Sequence, residues 1–559
     1  MATQQQWLDK QGLDPRLLEQ LENASQETVY DSFYTRLEFG TAGMRGLLGP
    51  GPNRMNIYTV GRANIGYGKY ILSLGVNNPK VAIAYDNRHY SSEFAMVCAK
   101  LLAKLGIESY VFETLRPTPE LSYAVRHLNC AGGIVITASH NPKEYNGYKV
   151  YDETGCQLTP EKIEQVIDYV SEIDNELDVD FDITKEQEAL IHMISKEIDE
   201  PYKKEVLQIQ LRPEVLKDNL TIVFTPQHGT AYPLMVEILH EAGYNVHLVE
   251  EQAFPDPDFV NTKTPNPEDI ASYDLAIELA KKVDADLVLS TDPDADRMGI
   301  VVKHKGEYVY LTGNQGGTIL LEYILSTRLE KGILPASGMI YNTIVTSDAG
   351  EQIAKTYNIK TEKTLTGFKF IGTKIKELEE SQKGVFLMGY EESYGYLLAP
   401  FVRDKDALQS CLMLAEAAAY YQSKDMTLVD VLYSVFDKVG TYLEETVSLT
   451  FAGEEGAQRI KQILDDLRNT TLEELGGMKV VAVEDYLGSV RVENQVESVL
   501  DFPSSDVLKY YLEDGSWVAI RPSGTEPKCK FYYCVKAESI KQAKDKLENY
   551  KLAVHKLTK

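Results

Sequence analysis

The sequence predicts an α/β protein of three similar units followed by a smaller α+β domain. Three observations carry this. Short apolar runs, Val81–Tyr85, Tyr110–Phe112 and Ile134–Ile136, alternate with helical stretches, as expected of helices layered on a sheet. The alternation restarts at Leu220-Thr221-Ile222-Val223-Phe224 and again near Leu311. Past a helix expected over Glu455–Arg468 the pattern changes: strands crowd near Val480–Val483, Val490–Val492, Trp517–Ile520 and Phe531–Val535, and a helix over Ile540–Tyr550 closes the chain. Strands gathered in this way suggest an antiparallel sheet.

In order along the chain, an opening segment, Glu19–Glu38, reads as helical. The acidic stretch Glu164–Pro201 has helical spacing and leads out of the first unit. The second unit continues through Val246-His247-Leu248-Val249 and Leu287–Leu289, and Met298–Val302 and Tyr308–Tyr310 flank Lys305-Gly306 as a hairpin. The third runs through Met339-Ile340-Tyr341 and Val385–Met388 to the Ala-rich helix Ala407–Tyr421. At 559 residues, about four domains of roughly 150 residues are expected. Their boundaries are set at 1–205, 206–311, 312–435 and 436–559.

Four loops carry the chemistry. Thr137-Ala138-Ser139-His140-Asn141-Pro142 follows the run Gly133–Ile136, which puts Ser139 at a strand's C-terminal end, where reacting groups collect in α/β sheets. His140 is an adjacent proton partner, and Asn141-Pro142 stops the strand. A plain turn would use the same residues. Ser290-Thr291-Asp292-Pro293-Asp294-Ala295-Asp296-Arg297 sets three carboxylates at alternating positions after an apolar strand. They repel one another unless a cation lies between them, and hard oxygen ligands suit magnesium or calcium. An EF-hand is excluded, because the sixth loop position is Arg297 and the twelfth is Lys303.

Gly389-Tyr390-Glu391-Glu392-Ser393-Tyr394-Gly395 places a carboxylate and a hydroxyl two residues apart, suited to adjacent sugar hydroxyls, although a strand-to-helix turn would look similar. Arg521-Pro522-Ser523-Gly524-Thr525-Glu526-Pro527 joins two apolar strands. An Arg fork, two hydroxyls and the amides around Gly524 make an anion cradle, and a hairpin loop rich in turn formers is the plainer alternative.

Composition narrows the class. A net charge of −27 argues against nucleic acid as a partner, and an anionic substrate then needs a locally positive site, which Arg45, Arg297, Lys369 and Arg521 would supply. No run of apolar residues is long enough for a membrane span, and the start has no basic apolar signal pattern. Six cysteines without a Cys-x-x-Cys pair suggest neither a zinc site nor a redox motif, and scattered thiols fit a reducing cytoplasm. No Gly-x-Gly-x-x-Gly opens a helix after a strand. Gly367-Phe368-Lys369-Phe370-Ile371-Gly372 approaches a P-loop but continues Thr373-Lys374-Ile375 where Lys and Ser/Thr are required.

Taken in register, the four loops resemble the signature loops of the α-D-phosphohexomutase family, and most of all its long bacterial phosphoglucomutase branch. The resemblance runs over essentially the whole chain and includes Phe39-Gly40-Thr41-Ala42-Gly43-Met44-Arg45-Gly46, Thr225-Pro226-Gln227-His228-Gly229 and Thr364-Leu365-Thr366-Gly367-Phe368-Lys369. It implies three α/β domains and a C-terminal α+β domain around a central active-site cleft.

The implied activity is interconversion of α-D-glucose 1-phosphate and glucose 6-phosphate. Phospho-Ser139 would be the carrier and glucose 1,6-bisphosphate the intermediate and primer. Mg2+ would sit on Asp292, Asp294, Asp296 and a phosphate oxygen on Ser139, with Arg297 near the transferring group. His140, Lys149 and Lys405 are matched to acid/base or electrostatic roles, unranked. Glu391 and Ser393 would grip the sugar, and Arg521, Ser523, Gly524 and Thr525 the unreacting phosphate, with Arg45, Gly367 and Lys369 as further substrate contacts. Some relatives carry His just after the sugar-binding Ser, where this chain has Tyr394-Gly395-Tyr396, so mannose or pentose phosphates stay open as substrates. A non-catalytic phosphosugar sensor and a metal-dependent phosphatase are the readings from other classes.

Overall fold

A computed structural model describes residues 1–40, 43–450, 453–522 and 528–558. The chain forms two compact units: Met1–Thr312 with Phe368–Met388 and Ser393–Asp425, and Gly313–Gly367 with Gly389–Glu392 and Met426–Lys559.

The first unit holds two mixed sheets. In one, β1 (Phe39–Gly40), β2 (Gly43–Leu47), β3 (Lys80–Tyr85), β4 (Glu108–Phe112), β5 (Gly132–Ile136), β6 (Tyr145–Asp152) and β7 (Ile191–Ile194) lie in the order β1-β2-β6-β5-β3-β4-β7. Strands β5, β3, β4 and β7 run parallel, and β6 returns antiparallel beside β5. Val81, Ile83, Ile134 and Ile136 are fully buried against Val60, Phe94, Cys98 and Leu102 of the flanking helices. A parallel strand covered in this way reads as a continuous apolar run, which is why these strands stand out in the sequence.

The other sheet is built from β8 (Thr221–Thr225), β9 (Asn245–Leu248), β10 (Leu287–Thr291), β11 (Met298–His304) and β12 (Glu307–Leu311), in the order β12-β11-β10-β8-β9. It repeats the plan: β10 is parallel to β8 on one side and antiparallel to β11 on the other. The β11–β12 hairpin turns at Lys305-Gly306, both with positive φ, as a tight two-residue hairpin requires.

In the second unit, β13 (Gly338–Thr343) and β14 (Lys360–Thr364) pair in parallel. Strand β15 (Val385–Tyr390) begins in the first unit and ends in the second, and β16 (Tyr396–Leu397) belongs to the first. The C-terminal strands are β17 (Thr441–Thr450), β18 (Glu474–Leu475), β19 (Met478–Asp485), β20 (Val490–Glu493), β21 (Val496–Val499), β22 (Leu508–Leu512), β23 (Trp517–Pro522) and β24 (Lys528–Ala537). They form an antiparallel sheet in the order β17-β24-β23-β22-β19-β20-β21, with β18 on β19. Ile463, Leu464, Leu547 and Val554 from two helices complete its core with Val518, Ile520 and Phe531.

Two expectations need correction. Glu19–Glu38 is not one helix: Pro15–Glu22 and Gln26–Phe33 are separate, because extended Ser25 accepts from the Thr28 N–H and starts the second. Within Glu164–Pro201 the helices break for β7, which pairs with β4. This edge strand is mostly half-exposed, so it lacks the apolar alternation that marks a strand. Strands β17, β18, β21 and β22 also lie outside the expected ones.

Candidate active site

The serine and aspartate loops of the first unit occupy the same place in their sheets. Each joins a strand with a parallel neighbour to the antiparallel strand beside it: β5 to β6 for the serine, β10 to β11 for the aspartates. Ser139 leaves β5 in the left-handed region, φ 50°, which non-glycine residues seldom adopt. Its N–H donates to Thr137 Oγ1 at 2.8 Å. Its hydroxyl donates to Asp292 Oδ2 at 2.6 Å and lies 3.2 Å from His140 Nδ1.

The aspartates converge. Asp292 Oδ1 accepts the N–H groups of Asp296 and Arg297 at 3.1 and 3.0 Å. Asp294 Oδ2 accepts Lys149 Nζ at 2.8 Å and Thr118 Oγ1 at 2.9 Å. Asp296 Oδ2 lies 3.0 Å from Lys405 Nζ and 3.8 Å from Lys149 Nζ. One oxygen from each aspartate falls within 4.8 Å of the others. Asp294 Oδ1 and Asp296 Oδ1 are buried and accept no hydrogen bond. Two carboxylate oxygens without a hydrogen bond, Asp296 Oδ1 with only Arg297 Nε at 3.8 Å, fit a hard divalent cation such as Mg2+ in this buried three-aspartate cluster.

Gly229 of the Thr225–Gly229 loop lies against this turn. A Cβ there would stand 2.4 Å from the Pro293 Cα, so only glycine permits the approach.

Burial and mutual repulsion set the titration of the cluster. Burial, and then the charges of Asp294 and Asp296, push Asp292 well above the carboxylate range. Burial acts the same way on Asp294 and is its largest single influence, but the Lys149 ammonium, a hydrogen bond with Asp292 and the Lys405 charge together outweigh it and hold Asp294 well below that range. Burial disfavours the Lys149 ammonium, yet Asp294 and Asp296 leave its pKa raised. The two lysines thus supply part of the positive charge that the alternating aspartates demand.

The remaining expected residues divide between the units. In the first, Arg45 Nη1 donates to Asn141 Oδ1 on the serine loop at 2.8 Å. Arg297 donates to Glu268 Oε1 at 2.7 Å, and Lys405 also reaches Asp404 Oδ1 at 3.1 Å. Lys369 is buried, and Ser393 is half-buried between β15 and β16. In the second unit, the Gly367 N–H donates to Glu391 Oε1 at 2.9 Å, and Arg521 stands near the end of β23. Ser523, Gly524 and Thr525 lie outside the described residues.

Thr118 and Glu268 were not marked by the sequence, and Asn141 only as a strand stop. For Thr118 a signal exists: Arg116-Pro117-Thr118-Pro119 follows β4 at the strand ends where Ser139 also sits.

Comparison with known proteins is consistent along most of the chain. Family models match in order: phosphoglucomutase/phosphomannomutase alpha/beta/alpha domain I at residues 36–177, domain II at 200–306, domain III at 312–439 and the C-terminal domain at 461–547. A phosphoglucomutase of Staphylococcus epidermidis (strain ATCC 12228) is 39% identical over 532 residues, 94% of this chain and 95% of that one. One of Staphylococcus aureus (strain MRSA252) is 39% identical over 521 residues, 92% and 93% of the two chains. Among solved structures, a phosphoglucomutase/phosphomannomutase family protein of Burkholderia thailandensis superposes with a TM-score of 0.68 at 17% identity, covering 93% of this chain and 97% of that one. The open form of Paramecium parafusin, a phosphoglucomutase, gives 0.67 at 18%, covering 94% and 95%. These two likenesses speak to the fold.

Proposed function

Since this chain belongs to the phosphoglucomutase/phosphomannomutase family and is a phosphohexomutase, we propose that its substrates are α-D-glucose 1-phosphate and glucose 6-phosphate. The observation that carries the mechanism is the Ser139 hydroxyl bound to Asp292 inside the three-aspartate cluster. The 39% identity to phosphoglucomutases supports glucose as the sugar.

Phospho-Ser139 gives its phosphoryl group to the free hydroxyl of the sugar phosphate. The P–O bond at Ser139 Oγ breaks, a P–O bond to the sugar forms, and the proton given up by the sugar hydroxyl is balanced by one taken by Ser139 Oγ. Glucose 1,6-bisphosphate results, turns over in the site, and returns its other phosphoryl group to Ser139. Such transfer depends on positioning and charge neutralisation. Asp292, Asp294 and Asp296, with a phosphoryl oxygen on Ser139, would hold Mg2+, which neutralises the transferring group. His140 stands within reach of Ser139 Oγ and can hold the proton there. Lys149 and Lys405, ion-paired with the aspartates, contribute positive charge beside them, with Arg297 alongside.

The other roles follow the family pattern: Glu391 and Ser393 take the sugar hydroxyls, Arg521, Ser523, Gly524 and Thr525 the distal phosphate, and Arg45, Gly367 and Lys369 further substrate contacts. The four segments 1–205, 206–311, 312–435 and 436–559 would each bring one loop. Six free cysteines, all buried, suit the reducing cytoplasm as its compartment.

The test is the intact mass of purified protein with and without alkaline phosphatase, beside Ser139→Ala. One phosphoryl group mapped to Ser139, and a loss of several powers of ten in turnover for the variant, are expected. A folded Ser139→Ala protein within tenfold of wild type would overturn the covalent mechanism. A panel of glucose, mannose and pentose 1-phosphates, primed with bisphosphate, decides the sugar. Release of free phosphate in place of isomer would mark a phosphatase.

A further inference from the structure

We propose that Arg88, held by Asp86, positions the Ser139 nucleophile by clamping the main chain of its loop. The proposal rests on Ser139 as the phosphoryl carrier. Strands β3 and β5 are adjacent and parallel, with Tyr85 opposite Ile136. Asp86–Arg88 and Thr137–Asn141 therefore leave the sheet side by side, although some fifty residues apart in sequence.

The Arg88 side chain is fully buried and both of its Nη groups donate to the chain between Ser139 and Tyr145. Nη1 donates to the carbonyls of Pro142 and Tyr145 at 2.7 and 3.0 Å. Nη2 donates to the carbonyl of Ser139 at 2.6 Å and to that of Asn141. Nε faces Asp86 Oδ2 at 3.2 Å. Asp86 is fixed in turn: its Oδ1 accepts from Ser91 Oγ at 2.7 Å and from the Arg88 N–H at 3.0 Å. Phe259 covers the guanidinium, its ring centre 5.3 Å from Arg88 Cζ.

A turn that carries a non-glycine residue at φ 50° is held only where the surroundings over-determine it. Between β5 and β6 the Ser139 and Asn141 carbonyls meet the Arg88 fork, and a carbonyl that loses its donor away from water is costly. A guanidinium presents five N–H donors in a rigid fork, whereas an ammonium presents three from one point. One arginine can therefore collect four carbonyls, and a lysine cannot.

Released from the clamp, Ser139 can relax out of the left-handed region and carry Oγ away from Asp292. Arg88 makes no hydrogen bond to the Ser139 hydroxyl or to the aspartates, so it acts through the loop and is a positioning residue. Misplacement of a reacting atom by about 1 Å costs on the order of a hundredfold in rate.

The experiment compares Arg88→Lys and Asp86→Asn with wild type as full chains, with Mg2+ and glucose 1,6-bisphosphate. For Arg88→Lys the expected result is a cooperative thermal transition, a KM for glucose 1-phosphate within about threefold, and kcat lowered on the order of a hundredfold. Phosphorylation of Ser139 by the bisphosphate, read by intact mass, should slow in step. Asp86→Asn keeps size and one acceptor but frees the fork, and should lower kcat by roughly tenfold at unchanged KM.

If Arg88→Lys fails to fold, Asp86→Asn decides alone. Wild-type kcat in a folded Arg88→Lys or in Asp86→Asn, or a loss confined to KM, overturns the positioning role while the serine mechanism stands. A wild-type enzyme that turns over without ever phosphorylating Ser139 overturns the serine mechanism, and this proposal with it.

Discussion

Replacing Lys149 by Met tests how far the aspartate cluster depends on protein cations. Lys149 Nζ lies 2.8 Å from Asp294 Oδ2 and 3.8 Å from Asp296 Oδ2, and the three side chains are 10%, 1% and 3% exposed. Methionine fills the stem but removes the charge and leaves two buried carboxylates short of a partner. Breaking a buried pair from one side costs about 3–5 kcal/mol. For a unit comprising Met1–Thr312 and two further segments, with an unfolding entropy of roughly 2 cal/mol/K per residue, this lowers its Tm by about 4–7 °C.

Mg2+ should return part of the loss, because a cation on Asp294 and Asp296 replaces the missing charge. Binding to the folded state alone stabilises by about 2.7 kcal/mol at a hundred times Kd. The rise in Tm on adding Mg2+ should therefore be larger for Lys149→Met than for wild type, while kcat stays depressed at saturating metal. Scanning calorimetry with and without Mg2+ measures the first effect, and a coupled glucose 6-phosphate assay the second. An unchanged Tm in metal-free buffer, or a smaller Mg2+ response than wild type, would refute this account of the cluster.

Three further outcomes are expected. Exhaustive chelation abolishes turnover and Mg2+ restores it better than Ca2+, whose longer and looser coordination misplaces the phosphoryl group; full activity after EDTA treatment would remove the aspartates from the reaction. Arg521→Ala loses a charge-assisted contact worth about 1.5–3 kcal/mol, so the KM for glucose 1-phosphate rises by roughly tenfold to a hundredfold; unchanged KM values for glucose 1-phosphate and the bisphosphate would take this loop out of the site. Asp406 is pushed up to about 6 by burial, against hydrogen bonds from Gln409, Tyr202 and Leu408. The folded state then binds more protons than the unfolded between pH 4 and 6, and stability falls as pH rises through that window. Asp406→Asn should gain on wild type there by up to about 3 kcal/mol, read as the difference in Tm between pH 4 and 7, and a pH-independent difference would contradict it.

Much of the site was legible because its signals are local. An apolar run ending just before Ser139, and another ending just before Asp292, mark strand ends whatever else the chain does. The hairpin at Lys305-Gly306 was legible because its φ values demand turn formers. Legibility failed where a segment's state depended on a distant partner. Strand β7 is a strand because β4 offers it the edge Ser109–Phe112. Its own residues, Ile191-His192-Met193-Ile194, are mostly half-exposed and carry no pattern.

The sequence by itself determined which residue types the candidate site offers: a serine at a strand end, three alternating aspartates, and arginines and lysines to offset their charge. Their spacing along the chain is short-range information, and strand and turn chemistry express it directly. Only the tertiary structure decided the pairings. Lys149 meets Asp294 from 145 residues away because β6 lies antiparallel to β5, beside the serine loop. Thr118 reaches the same carboxylate across 176 residues. Arg88 grips the Ser139 carbonyl because β3 and β5 are neighbours. An ion pair of this kind acts over a few ångströms and leaves no periodicity in the sequence, so the cation that faces each aspartate is decided by tertiary packing.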